Sequence, residues 1–257
     1  MIELNKLYNE NCLDTMKRME DNFIDLTVTS PPYDNLRDYN GYEFDFESIA
    51  KELYRVTKQG GVVVWVVGDA TINGSETGTS FKQALYFKEI GFNLHDTMIW
   101  VKSGLGAVGS NFSYMQNFEY MFVISKGRPN VINLIKDRKN VTIGTRKVNQ
   151  HRQPDGSRGY RVIEQKPYGI RFNNWQITQE SQSKHPAPFP EKLAEDHIYS
   201  WSNENDLVYD CFMGSGTTAK MAIKLGRNFI GSEMSEEYCK IANKRIDNEN
   251  IKLKLAI

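Results

Sequence analysis

Two apolar runs in this 257-residue chain each break off into a loop of distinctive composition, and the pair constrains the fold more than any other feature. Residues 23–29 lead into Ser30-Pro31-Pro32-Tyr33. Some 180 residues further on, residues 207–210 lead into Cys211-Phe212-Met213-Gly214-Ser215-Gly216-Thr217-Thr218. Proline has no backbone N–H, so the first run must leave any hydrogen-bonded ladder at Pro31. The glycines after the second run permit a tight turn into a helix, on one face of which Ala219, Ala222 and Ile223 recur, with Gly226 as its C-terminal cap. Both loops are therefore expected at the carboxyl ends of strands.

Between them strand and helix patterns alternate. Ile49, Leu53 and Val56 recur at helical spacing, Gly60-Gly61 is expected to stop that helix, and residues 62–67 read as a fully buried strand. Phe81, Ala84 and Leu85 mark a second helix, and residues 97–101 and 119–124 two more strands. A helix through Leu193 and Ile198 precedes the second apolar run. After the glycine loop come a strand at 228–231 and a helix opened by Ser235 with Glu236 and Glu237. This alternation implies an α/β fold with a doubly wound, mostly parallel, Rossmann-like sheet. Such sheets bind ligands at the carboxyl ends of their strands beside a topological switch point, so one crevice shared by both loops is expected.

The length suffices for one large core without disulfides or metal. No apolar run approaches the roughly 20 residues that cross a bilayer. The N-terminus lacks a basic segment followed by an apolar one, so a cytoplasmic protein without a membrane role is expected. Cys12, Cys211 and Cys239 are odd in number and form no CxxC pair, while His95, His151, His185 and His197 are scattered. Buried cysteines and no metal site are the expectation. A net charge of zero hides an asymmetry: residues 126–172 hold twelve basic side chains against three acidic ones. Over residues 126–182 the periodicity also dissolves, with Pro154-Asp155-Gly156 as a turn. An inserted basic region at 126–182 is thus expected between 1–125 and 183–257, which together form the main domain.

Ser30-Pro31-Pro32-Tyr33 resembles the amine-holding loop of the S-adenosylmethionine (SAM)-dependent amino-group DNA methyltransferases, and residues 210–218 resemble their SAM loop. The order, amine loop first and cofactor loop last, is similar to the β class of that family, in which the usual fold is circularly permuted. The resemblance implies a catalytic set of Ser30, Pro31, Pro32 and Tyr33. Ser30 Oγ and the Pro31 carbonyl would accept the two hydrogens of an exocyclic amine and turn its lone pair toward the methyl group, while Tyr33 would stack on the flipped base. For SAM it implies Gly214, Ser215, Gly216 and Thr217 at the carboxylate, Asp210 at the amino group and Glu233 at the ribose hydroxyls, with Phe212 and Met234 beside them. Asn11 and Cys12 would line the adenine, and Phe189, within residues 185–190, would help enclose the cofactor. Cys211 stands where many relatives have proline. The basic insertion matches the place of the target-recognition region. Arg146, Lys147, Arg152 and Arg158, with Arg37 after the tetrad, are the candidate DNA contacts, and Asn149 or Gln150 would suit adenine edges.

The mechanism implied is direct in-line transfer, since no cysteine nucleophile lies near the proline loop. Serine in the first tetrad position is more typical of N4-cytosine enzymes and aspartate of N6-adenine ones. N4 of cytosine is therefore favoured, with N6 of adenine as the alternative. RNA and protein-amide methyltransferases carry related tetrads with asparagine in front and usually place the cofactor loop first, so the loop order favours double-stranded DNA. A catalytically silent DNA-binding module is a further alternative, against which intact Ser30, Pro31, Tyr33, Asp210 and Gly214 argue. A homodimer and a cognate restriction endonuclease are both compatible with the class.

Overall fold

The computed structural model describes residues 2–32, 44–103, 108–110, 113–144, 146–178 and 190–255, with the backbone alone at 103, 108–110, 113, 146 and 147. It divides into two compact units, Met1–Asn133 with Asn173–Ile257, and Leu134–Phe172.

The larger unit is built on eight strands: β1 (Lys6–Tyr8), β2 (Ile24–Thr29), β3 (Thr57–Val67), β4 (Asn93–Ser103), β5 (Phe118–Ser125), β6 (Asn174–Thr178), β7 (Leu207–Asp210) and β8 (Asn228–Ser232). They lie in the order β1-β8-β7-β2-β3-β5-β4-β6. Every neighbouring pair is parallel except the two that β5 makes with β3 and β4. The helices are α1 (Cys12–Lys17), α2 (Phe46–Val56), α3 (Thr79–Glu89), α4 (Glu191–Trp201), α5 (Thr217–Lys224) and α6 (Glu236–Leu255). Among the described residues no helix is long and apolar enough to cross a membrane.

The apolar run in β3 explains the layering. Successive strand side chains point to opposite faces. Val62, Val64 and Val66 join one core with Leu193, Ile198, Ala219 and Ile246 of α4, α5 and α6. Val63, Trp65 and Val67 join another with Met16, Ile49, Leu53 and Phe87 of α1, α2 and α3. At about 1.5–3 kcal/mol for each fully buried aliphatic side chain, this one strand contributes on the order of 10 kcal/mol of burial.

Four sequence expectations are corrected. The helix α2 ends at Val56, and Gly60-Gly61 lie inside β3. Gly60 is needed there because its φ is +79° and a Cβ would meet the Asn130 side chain at 2.2 Å. In α3 the buried residues are Ser80, Gln83, Ala84 and Phe87, whereas Phe81 and Leu85 are exposed. Gln83 takes a core position because its Oε1 accepts the buried Trp65 Nε1–H at 2.8 Å. Third, the expected insertion is too wide, since residues 173–178 belong to the main sheet as β6. Trp175 and Ile177 are the buried residues of a five-residue alternation. Finally, Lys126 is a structural residue of the larger unit: its Nζ donates to the carbonyls of Tyr54 (2.7 Å) and Thr57 (3.0 Å).

The smaller unit, Leu134–Phe172, is a ribbon. Arg138–Lys139 pairs antiparallel with Tyr168–Gly169, and Arg146–Arg152 pairs antiparallel with Arg158–Glu164. The turn falls at Pro154-Asp155-Gly156, where Asp155 Oδ1 accepts the Ser157 N–H (2.9 Å) and hydroxyl (2.7 Å) and Gly156 adopts a φ of +84°.

Candidate active site

The carboxyl ends of β1, β8, β7 and β2 lie side by side. Tyr8 is in register with Ser232, Gly231 with Asp210, and Tyr209 with Thr27. The proline loop leaves β2 after Thr29 and the glycine loop leaves β7 after Asp210, so adjacent parallel strands deliver both to the same edge. A buried hydrogen bond joins them: Thr29 Oγ1 donates to Asp210 Oδ1 at 2.6 Å, and Cys211 Sγ donates to Thr29 Oγ1 at 3.6 Å. Thr218, in the first turn of α5, donates from Oγ1 to the Val28 carbonyl at 3.3 Å.

Asp210 is 5% exposed. Burial pushes its carboxyl up to about 6, against hydrogen bonds from the Thr29 hydroxyl and the Phe212 N–H and the nearby Thr218 hydroxyl, with Glu233 adding a small upward push. These donors are neutral, and a cationic amino group placed beside the carboxyl would draw it back toward the ionised form. A buried carboxylate with only neutral donors around it fits the ammonium of SAM as its acceptor.

Glu233 follows β8. Its Oε2 accepts the Gly214 N–H at 2.9 Å and its Oε1 the Ser235 N–H at 2.7 Å, while burial raises its pKa. The Glu233 N–H donates to the Tyr8 carbonyl at 3.0 Å, and Asn9 Nδ2 donates to the carbonyls of Glu233 and Met234 at 2.9 Å each. The segment expected at the adenine and the acid expected at the ribose are thus held together.

Both glycine N–H groups of the loop are engaged within the protein. Gly214 donates to Glu233, and Gly216 donates to the Met213 carbonyl at 2.9 Å. Gly216 has a φ of +82°, and a Cβ there would meet the Ala242 Cβ of α6 at 2.8 Å, so close helix packing is what demands glycine. Ser215 and Thr217 also serve α6. Arg245 Nη1 donates to the Ser215 carbonyl (2.9 Å), the Ser215 hydroxyl (2.8 Å) and the Thr217 hydroxyl (3.1 Å).

Of the other expected residues, Ser30 and Pro32 are half-buried and Pro31 is buried at the end of β2. Asn11 is the N-cap of α1, its Oδ1 accepting the Leu13 N–H at 2.9 Å; this is the same oxygen that would meet an adenine amine. Cys12 is buried, and desolvation pushes its thiol up to about 12. Phe212 stands edge-on to Phe44 (5.7 Å) and Trp65 (6.2 Å). Met234 is exposed. Asp69, in the loop after β3, accepts the Ser80 N–H of the first turn of α3 at 2.8 Å. Tyr33, Arg37 and Phe189 lie outside the described residues.

Sequence reasoning missed Thr29, Asn9 and Arg245. Thr29 carried a signal, as the polar residue that ends a buried strand directly before the tetrad; Asn9 and Arg245 are unremarkable until the folded chain brings them to Glu233 and Ser215.

In the smaller unit, Arg152 and Arg158 are exposed and face each other in register at the end of the hairpin. Arg146 and Lys147 lie in the first strand of the same hairpin, and Asn149 pairs with Arg161 and Gln150 with Tyr160.

A family model described as DNA methylase, for the N6/N4 enzymes, matches residues 24–244. The orphan methyltransferase M.BamHII of Bacillus amyloliquefaciens is 59% identical over 237 residues, covering 88% of this chain and 89% of its own. The type II methyltransferase M1.MboII of Moraxella bovis is 30% identical over 267 residues, covering 95% and 96%. Among solved structures, the PvuII DNA methyltransferase (cytosine-N4-specific) superposes with a TM-score of 0.69 at 22% identity, over 93% of this chain and 85% of that one. The M1.HpyAVI–SAM complex gives 0.66 at 22% identity, over 93% and 98%. At that identity these structures show a shared fold.

Proposed function

This chain belongs to the N6/N4 DNA methylase family, and we propose that within it the chain methylates the exocyclic N4 amine of cytosine in duplex DNA. It is a SAM-dependent DNA methyltransferase. The observation that carries the reading of its site is the buried Thr29–Asp210 hydrogen bond, which fastens the end of the amine-loop strand to the end of the cofactor-loop strand.

When bound, SAM supplies a methyl group already activated on a sulfonium. Asp210 would hold its amino group, Glu233 its ribose hydroxyls, and the segment at Asn11 and Cys12 its adenine. The Ser215 and Thr217 hydroxyls accept from Arg245, which leaves their own O–H groups, with backbone N–H groups of the turn, to donate to the carboxylate. Ser30 Oγ and the Pro31 carbonyl would accept the amine hydrogens, drawing the nitrogen toward a tetrahedral geometry with its lone pair on the methyl side. The catalysis is positioning and electrostatics. The amine proton leaves to water after transfer, so no strong base is needed beforehand.

The preference for cytosine rests on Ser30, a neutral acceptor in the first tetrad position. For the smaller unit the proposed role is target recognition, with Arg152 and Arg158 among its DNA contacts; a basic two-stranded ribbon has the dimensions to enter a major groove. The test is to incubate the protein with duplex DNA and SAM, digest, and resolve the nucleosides by mass spectrometry. N4-methylcytosine is expected. N6-methyladenine in its place would move the base assignment, and unmodified nucleosides would overturn the reading.

A further inference from the structure

We propose that Arg245 is a positioning residue that locks the turn of the glycine loop to the first residue of α4, and that it sets the affinity for SAM while leaving the chemical step alone. This rests on the glycine loop being the SAM loop.

Arg245 lies on α6, within a turn of Ala242, the residue that Gly216 packs against. Its guanidinium divides its donors in two. Nη1 holds the glycine loop through the Ser215 carbonyl and hydroxyl and the Thr217 hydroxyl, at 2.8–3.1 Å. Nη2 donates to Glu191 Oε1 at 2.8 Å. Glu191 is the first residue of α4, directly after its N-cap Pro190. One planar, permanently charged fork thus joins the turn after β7 to the entry of α4, and both ends of the link are partly buried. A lysine would present a point charge and could not make this divided set of bonds.

The placement has a mechanical reason. The glycine loop has two residues at positive φ, Gly214 (51°) and Gly216 (82°), and glycine loses more freedom on ordering than any other residue. Without a brace, that ordering would fall on the moment of cofactor binding. With Arg245 in place the turn is already set, and preorganisation of this kind is expressed as ligand affinity. Ser30 and Pro31, proposed to meet the target base, follow β2 and belong to the other loop.

The experiment is steady-state methylation of duplex DNA by the full chain carrying Arg245→Met, Arg245→Lys or Glu191→Gln, with KM for SAM, KM for DNA and kcat at saturating SAM measured separately. Lys220→Met is the control, because the Lys220 side chain pairs with the same Glu191 carboxylate, while its only described bond to the loop turn is from its backbone N–H to the Gly216 carbonyl, which the substitution keeps. Arg245→Met should raise KM for SAM about tenfold or more, the range of one or two charge-assisted hydrogen bonds. It should leave kcat and KM for DNA within about twofold. Arg245→Lys should recover part of that loss, Glu191→Gln should give a smaller rise, and Lys220→Met should leave KM for SAM within about twofold. Equilibrium dialysis with SAM alone gives the same ordering if Arg245→Met is too slow to assay. A kcat that falls as far as KM rises, or a Lys220→Met rise equal to that of Arg245→Met, would overturn the proposal and reduce Arg245 to one of several ion pairs holding α4, α5 and α6 together. A complete absence of methylation by the unsubstituted chain would instead count against the functional reading on which it rests.

Discussion

In the larger unit the groups proposed for chemistry are buried, and in the smaller one they are exposed. Asp210 is 5% exposed and Thr29 1%, and they sit at the edge of a sheet whose both faces are covered. In Leu134–Phe172, Gly159 is the one buried residue among those with described side chains, while Val148, Tyr160 and Val162 are each more than 60% exposed. The contrast fits the role proposed for each unit. Methyl transfer needs one fixed geometry in a site that excludes water, where hydrogen bonds and charges act strongly, and only a packed core holds residues that firmly. Binding a phosphate backbone needs a run of cations that displace counterions, and solvated arginines do this without a core. An isolated hairpin is marginally stable in water at best, so the smaller unit is open to change at little cost to the fold that carries the reaction.

The largest effects should come from the larger unit. Ser30→Ala removes one acceptor for the amine, and Tyr33→Ala removes the expected stacking face. Each should lower the methylation rate by about a hundredfold or more, as the loss of one preorganised group in an active site does. SAM affinity, measured by equilibrium dialysis, should stay within about threefold. Equal loss of SAM affinity in both variants would break the division of labour between the two loops.

Asp210→Asn should do the reverse, weakening SAM binding about thirtyfold through loss of a charge-assisted contact worth about 2 kcal/mol. It also carries a pH signature. The folded-state carboxyl titrates near 6, against an ordinary value of 3.8, so the fold binds an extra proton between those values. The stabilisation from that proton is complete below about pH 3.8 and is lost as pH rises through 6, so the ionised carboxylate costs the cofactor-free protein about 3 kcal/mol at neutral pH. Asparagine keeps an acceptor for Thr29 and Phe212 but has no charge to desolvate. The cofactor-free variant should therefore be at least as stable as the unsubstituted chain at pH 7.5, with the advantage shrinking toward pH 4. SAM affinity should fall between pH 7 and 5 in the unsubstituted chain and stay flat in the variant. Parallel pH dependences would show that Asp210 does not meet the ammonium.

How much of this was legible in the sequence depended on whether a residue's role was local. Strand β3 was readable because six successive apolar residues have no other soluble solution, and the proline and glycine loops were readable because each breaks a strand in its own way. Their meeting in space followed from the α/β pattern. Strand β6 was missed because its core signal is two residues, Trp175 and Ile177, set in polar sequence. Gly216 makes the tight turn into α5 that the sequence suggested, with a φ of +82°, but a second reason for it was hidden, since the close neighbour is Ala242 of α6, 26 residues away along the chain. Asn11 likewise looked like a ligand contact and is first a helix cap. A long-range partner leaves no trace in local spacing: Thr29 and Asp210 stand 181 positions apart, and Asn9 and Met234 stand 225 apart.

Smaller effects are expected from the ribbon. Arg152→Ala and Arg158→Ala should each weaken DNA binding severalfold and lower the slope of log affinity against log salt by about 1, with SAM affinity unchanged. A slope that does not move would remove that arginine from the phosphate contacts.

The smallest effect tests the contrast most directly, because the same substitution can be made in both units. Val64→Thr buries a hydroxyl at a fully buried position in β3, and an unsatisfied buried polar group costs about 1–3 kcal/mol. Val162→Thr changes a side chain that is 62% exposed and paired across the hairpin with the equally exposed Val148, where a surface swap should fall within about 0.5 kcal/mol. Threonine is also a good strand residue, so backbone preference does not separate the two sites. Thermal unfolding of the two variants without DNA should therefore show a clear fall in Tm for Val64→Thr and almost none for Val162→Thr. If Val162→Thr fell as far, the Val148–Val162 face would have to be covered in solution. The ribbon would then be a packed part of the fold, and its independence from the catalytic core would be lost.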